Sequence, residues 1–114
     1  MSVRGRPMKW AVSFGLALCL CFAQVKKDAA KGDVRRGEEI FLDHCDQCHD
    51  AYSKEEKVGP GLKGIKDGKL PDGKPATRDK LLDVINTGPA EMPSFKDRLT
   101  EQQKEDVVAF VMSL

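Results

Sequence analysis

Cys45-Asp46-Gln47-Cys48-His49 is the stretch on which the reading of this chain turns. Two thiols separated by two residues, with a histidine directly after, form the attachment signature of c-type haem. The spacing has a chemical reason. Each thiol adds across one vinyl group of the porphyrin, and the two thioethers fix its edge against one short turn. That turn then points His49 at the iron, where an imidazole nitrogen binds as the proximal axial ligand. A pentapeptide is short enough to match by chance, so the rest of the chain has to corroborate it.

The sequence has 114 residues, enough for one small domain. Its first two dozen residues read differently from the rest. Arg4, Arg6 and Lys9 precede an uncharged, mainly apolar run from Trp10 to Val25, broken by Ser13 and Gln24. A basic start followed by a short apolar stretch is the pattern of a secretory signal peptide. The run falls short of the ~20 residues that a permanent spanning helix needs. Cys21-Phe22-Ala23 offers small residues at the two cleavage-determining positions, which places the cut after Ala23. Residues 1–23 are therefore expected to be a signal peptide, 24–32 a flexible polar leader, and 33–114 the domain. The expected destination is the periplasm, with a membrane-anchored form the less favoured alternative. Lipidation of Cys19 or Cys21 is disfavoured, because Leu18 and Leu20 stand where a small residue normally precedes the modified cysteine.

Cleavage leaves 91 residues with two cysteines, Cys45 and Cys48. An exported domain this small usually needs a staple. A single disulfide across two residues is a poor one, whereas a covalent haem supplies a large apolar body for a core to form around. Export and the haem signature thus support each other. Removing Arg4, Arg6 and Lys9 from the 19 basic residues leaves 16 against 18 acidic ones, so the formal charge of +1 becomes about −2. That balance gives no support for nucleic-acid binding.

Three helices are predicted, and no alternating run makes a convincing strand. Asp33 is a plausible N-cap for the first, with Val34, Gly37, Ile40, Phe41 and Cys45 on one face. An interior glycine costs about 1 kcal/mol relative to alanine, so Gly37 suggests close approach by another element. A second helix opens at Thr77 and runs through Asn86, with Arg78, Leu81, Leu82 and Ile85 as its inner stripe and Gly88-Pro89 as its stop. The third opens on Thr100 and Gln103 as a capping box. Glu101, Glu105 and Asp106 suit its first half, and Val107, Phe110, Val111 and Leu114 form its apolar face. Between the first two helices, the doubled Asp-Gly-Lys of residues 67–69 and 72–74 reads as two turns in one surface loop. A calcium loop starting at Asp67 fails: Lys69, Pro71 and Arg78 stand where oxygen ligands are required, and Asp72 where glycine is needed.

The region 33–114 resembles a small class I cytochrome c of the bacterial, monohaem kind. Gly37 and Phe41 precede the haem motif with that family's spacing. Gly59-Pro60-Gly61-Leu62-Lys63-Gly64 is similar to its Gly-Pro-x-Leu-x-Gly segment, Ala90-Glu91-Met92-Pro93-Ser94-Phe95 resembles its methionine–proline loop, and a helix bearing Phe110 closes the chain. The resemblance implies an all-α fold of three to four helices around one covalent haem c, with Cys45 and Cys48 attaching it and His49 and Met92 ligating the iron. It also implies that the Pro60 carbonyl accepts from the outer ring nitrogen of His49 and that Leu62 packs on the haem face. An ordinary turn over residues 59–61 is the alternative for Pro60. The implied function is single-electron transfer rather than enzymatic turnover. The implied partners are redox proteins such as respiratory or periplasmic oxidases and dehydrogenases, met by a monomer with possible peripheral membrane association.

The residues themselves agree with this. Met92 lies in a loop stiffened by Pro89 and Pro93, a poor place for a core methionine and a good one for a fixed ligand. Met112, on the last helix beside Val111, suits packing or exposure instead. His44 is expected to face solvent, which argues against a bis-histidine iron. The four soft ligands at 44, 45, 48 and 49 are too crowded to close a tetrahedral zinc site, and a thioredoxin-like dithiol lacks its βαβ context. The only tryptophan, Trp10, lies in the signal segment, so a propionate would fall to Tyr52, Arg78 or nearby lysines. Lysines at 54, 57, 63, 66, 69 and 74 either ring the haem edge or form an ordinary solvated face balanced by Glu55, Glu56, Asp67 and Asp72.

Overall fold

The side chain of Asp33 turns back to accept the N–H of Arg36 at 2.8 Å, and the chain enters its first helix there. The computed structural model describes residues 31–114, so the expected signal peptide and most of the leader lie outside the described residues. Within them run α1 (Val34–His44), α2 (Arg78–Thr87) and α3 (Glu101–Val111), with a 3-10 turn at Ile65–Asp67 and no strand. The expected three to four helices resolve as three, plus that single turn.

Each helix has the terminus that its sequence encodes. Thr77 accepts from the N–H of Lys80 to start α2, and Gly88 ends it in the left-handed region at φ 61°. Thr100 and Gln103 form both halves of a capping box on α3. The loop with the doubled Asp-Gly-Lys closes on itself: the Leu70 N–H donates to the Lys74 carbonyl at 2.8 Å, and an isolated bridge joins Lys69 to Pro75.

The N- and C-terminal helices cross with almost no space between them. A Cβ on Gly37 would lie 1.9 Å from the carbonyl oxygen of Asp106 and 2.8 Å from Cβ of Phe110. This is the close approach that the interior glycine predicts. One turn on, the rings of Phe41 and Phe110 meet at 5.3 Å between centroids, within the range of favourable aromatic pairing. Phe41, Leu81, Val107, Val108, Phe110 and Val111 form the buried core. Ile40, Leu62, Leu82, Ile85, Met112 and Leu114 pack against it, Leu114 from just beyond the end of α3.

The polar half of α3 lies partly inside the protein. Glu105 and Asp106, read as acids suiting its first half, are both buried, as is Lys104. The cause is that α3 packs against both α1 and α2, and polar groups caught in such a position need partners. Asp106 accepts from the Asp33 N–H at 2.8 Å, from Arg36 Nε at 2.8 Å and Nη2 at 3.1 Å, and from Gln102 at 3.0 Å. The Arg36 guanidinium, more than the other donors, holds the Asp106 carboxyl down at about 2. Glu105 accepts from both Nε and Nη2 of Arg78. Lys104 donates to the Lys96 carbonyl at 2.9 Å and to Glu101 at 2.8 Å. Arg78 is accordingly a half-exposed clasp rather than part of an apolar stripe.

Candidate haem-binding site

The end of α1 builds the first part of the site. Cys45 caps the helix by donating its N–H to the Phe41 carbonyl at 2.8 Å, and the N–H groups of Cys48 and His49 both turn back to the Cys45 carbonyl, at 3.1 and 3.0 Å. The two cysteines thus sit on one tight turn with no disulfide between them. Burial, with a smaller contribution from Cys48, pushes the Cys45 thiol up to about 11. Both thiols are half-buried, and Cys45 packs against the core.

His49 is held from outside the turn. Its Nδ1 lies 2.8 Å from the Pro60 carbonyl oxygen. A carbonyl only accepts, so Nδ1 carries the proton and Nε2 keeps its lone pair for a metal. The ring rests against Gly59, where a Cβ would stand 2.5 Å from Cε1 and 2.8 Å from Nδ1. Gly59 donates to the Cys48 carbonyl at 2.8 Å, which ties the glycine–proline segment directly to the cysteine turn. A Cβ on Gly61 would fall 2.4 Å from the Ser53 carbonyl oxygen, and the Leu62 N–H donates to Asp50 at 2.8 Å. Asp50 also accepts from the N–H groups of Tyr52 and Ser53, bonds that hold its carboxyl below the usual range, led by the one from Tyr52.

The loop bearing Met92 is fastened to the end of α2. The Ser94 hydroxyl donates to the Asn86 carbonyl at 2.5 Å, and the Phe95 N–H donates to Ile85 at 2.8 Å. Met92 itself donates its N–H to the Pro89 carbonyl at 3.1 Å and is half-buried. A Cβ on Gly88 would come within 2.6 Å of the Met92 carbonyl oxygen. Ala90 stands in the left-handed region at φ 54°, a conformation that costs an alanine roughly 1–2 kcal/mol and that functional loops commonly retain. Phe95 is buried, with the exposed His44 ring nearly perpendicular to it at 6.1 Å between centroids and the Arg98 guanidinium 5.0 Å from its centroid.

The donor set fits a covalent haem. Two uncrosslinked thiols lie on one turn, followed by an imidazole whose outer nitrogen is already committed. A glycine leaves room along that ring, and a soft thioether sits on a fixed loop. The Asn86 carboxamide oxygen is buried near this loop without a partner. Two residues named as propionate candidates are engaged elsewhere: the Tyr52 hydroxyl donates to Glu38 at 2.6 Å, and Arg78 holds Glu105 and Asp79. Of the lysines, Lys57 donates to the Asp46 carbonyl at 3.2 Å.

Comparison with known proteins gives consistent matches. The family model described as cytochrome c oxidase, cbb3-type, subunit III matches residues 32–111. The chain is 32% identical over 92 residues to the cytochrome bc1 complex cytochrome c subunit of Corynebacterium diphtheriae, covering 80% of this chain and 31% of that protein. It is 32% identical over 81 residues to cytochrome c6 of Alaria esculenta, covering 71% of this chain and 91% of that one. Among solved structures, cytochrome c6 from the diatom Phaeodactylum tricornutum matches with a TM-score of 0.58 and 30% identity, covering 72% of this chain and 93% of that one. The chain thus spans about a third of the length of the bc1-complex subunit and nearly all of the cytochrome c6 proteins. With these matches, the small all-α fold is that of a monohaem protein, and its cofactor is haem c with its iron.

Proposed function

This chain belongs to the cytochrome c family, matched by its cbb3-type subunit III model, and on that premise we propose that it is an exported electron carrier whose iron is held by His49 and Met92. Cys45 and Cys48 provide the thioether attachments, Pro60 orients His49, and Leu62 packs on the haem face. The observation that carries this reading is the 2.8 Å contact of His49 Nδ1 with the Pro60 carbonyl. It fixes the tautomer, orients the ring and leaves one nitrogen for the metal.

Haem c supplies reversible one-electron iron chemistry. The polypeptide's part would be to hold the His49 imidazole and the Met92 thioether in place. A thioether is a soft donor that favours ferrous iron, so Met92 would raise the reduction potential. With His49 and Met92 both bound to the iron, no open position would remain for a substrate, and the protein would act as a carrier rather than an enzyme. Replacing Met92 with alanine tests this: the variant should bind carbon monoxide readily and have a lower potential. If its potential and ligand binding match those of the wild type, Met92 is not the ligand.

Electron donors and acceptors are redox proteins of the periplasm or the respiratory membrane, and the carrier acts as a monomer. Among the described residues no helix is long and apolar enough to cross a membrane. The match to a bc1-complex subunit favours a second reading, in which this domain serves one respiratory complex. Co-purification with that complex from solubilised membranes would support the second reading, and recovery in the soluble extract would support a free shuttle.

A further inference from the structure

We propose that Lys104 is a positioning residue for Met92, clasping the far end of the methionine loop to α3 so that the thioether stays on the iron. The proposal rests on the reading above, in which Met92 ligates the haem. It gives a role to a buried charge that electron transfer itself does not use.

Lysine side chains ordinarily lie along apolar surface and carry their ammonium out to water. Lys104 does the opposite. Its side chain is 1% exposed, whereas Glu101, with which it pairs at 2.8 Å, is 74% exposed. An ion pair with so solvated a partner contributes little, so it does not account for an ammonium kept out of water. The other acceptor is the main-chain carbonyl of Lys96, 2.9 Å from Nζ. A hydrogen bond from a charged donor is among the strong ones, and burial strengthens it further.

Lys96 stands four residues past Met92. Just before it the loop is fastened to α2, through Ser94 to the Asn86 carbonyl and through the Phe95 N–H to Ile85. Just after it, the N–H groups of Arg98 and Leu99 turn back to the Phe95 carbonyl. The Lys104 ammonium therefore adds a tie from α3 to the ties from α2. It acts from a rigid support, since α3 is capped by Thr100 and Gln103 and pressed against Gly37 of α1 at Asp106. Held by both helices, the segment that follows Met92 cannot lift away as a unit.

Carbon monoxide binding to the reduced holoprotein tests this, because its rate reports how often Met92 leaves the iron. Lys104→Met keeps an unbranched stem and removes the ammonium. It should bind carbon monoxide at least about tenfold faster than wild type, the factor that corresponds to losing one hydrogen bond to a charged group. Its far-red sulfur–iron band should weaken on oxidation. Glu101→Gln takes away the ion pair and leaves the Lys96 carbonyl, so it should keep the wild-type rate and band. A Lys104→Met protein with the wild-type rate and band would overturn the proposal and leave the Met92 ligation intact. A Glu101→Gln protein altered as much as Lys104→Met would also overturn it, by assigning the effect to the ion pair. A wild type that takes up carbon monoxide at once and lacks the far-red band would overturn the ligation, and the clasp with it. Should Lys104→Met fail to mature, NMR of the reduced wild-type holoprotein decides. Coupling through the hydrogen bond between Nζ and the Lys96 carbonyl carbon supports the clasp, and an ammonium that exchanges freely with water refutes it.

Discussion

Gly37 lies against the backbone of Asp106 so closely that a Cβ would stand 1.9 Å from its carbonyl oxygen. Main-chain atoms of α3 cannot step aside as a flexible side chain would, so Gly37→Ala has to part the two helices. The loss should reach about 3 kcal/mol or more, at the upper end for overpacked sites, and should separate Phe41 from Phe110. Urea unfolding of the holoprotein measures it, with Gly73→Ala as a comparison. At Gly73 nothing approaches within 4 Å, and the cost arises from its φ of +78° alone.

Gly59→Ala should act on the iron rather than on the fold. The added methyl would meet the His49 ring 2.5 Å from Cε1, tilting the imidazole away from the Pro60 carbonyl. The expected outcome is a shifted reduction potential and weakened low-spin bands, with unfolding affected less than in Gly37→Ala. Electrochemistry and optical spectra of the purified variant read both effects. An unchanged potential would mean that the ring is not set from this side.

The acid response should follow Asp106. Its folded-state carboxyl is depressed to about 2, against an unfolded value of about 3.9. A depressed acid contributes stability that is fully present above the unfolded value and is lost as pH falls through the folded one. Asp106→Asn should therefore be less stable than wild type at about pH 6 by about 2 kcal/mol. The gap should narrow between roughly pH 4 and pH 2 as the wild-type carboxylate takes up its proton. Denaturant titrations over that range check it, and a gap independent of pH would contradict the assignment.

The helix limits, the cysteine turn and the interior glycine of α1 were legible in the sequence because each is written locally. Asp33, Thr77 and the Thr100–Gln103 pair cap the helices that follow them, and Gly88 stops α2. The contact of Pro60 with His49 was implied by resemblance, and its carbonyl oxygen lies 2.8 Å from Nδ1. What local patterns could not disclose were partnerships across the whole chain. Arg36 and Asp106 are seventy positions apart, and nothing near either announces the other. Lys104 has the sequence context of an exposed residue, yet it is buried because α3 packs against α1 and α2 and its ammonium finds the Lys96 carbonyl.

Gly88→Ala probes the methionine loop from beneath. It combines a φ of +61° with a Cβ position 2.6 Å from the Met92 carbonyl oxygen, so the loop has to lift. The far-red sulfur–iron band should weaken in the oxidised variant and carbon monoxide should gain access to the reduced one. A variant with the wild-type band would mean that the loop does not depend on this glycine.

The most direct test of the account is the optical spectrum of the reduced wild-type protein, matured in a haem-attaching periplasm, with and without carbon monoxide. A closed histidine–methionine carrier predicts sharp low-spin bands that carbon monoxide leaves in place, and a weak far-red sulfur–iron band on oxidation. A clear carbon monoxide shift with no far-red band would contradict it, showing a sixth position open to ligands and a protein built for binding or catalysis at the iron.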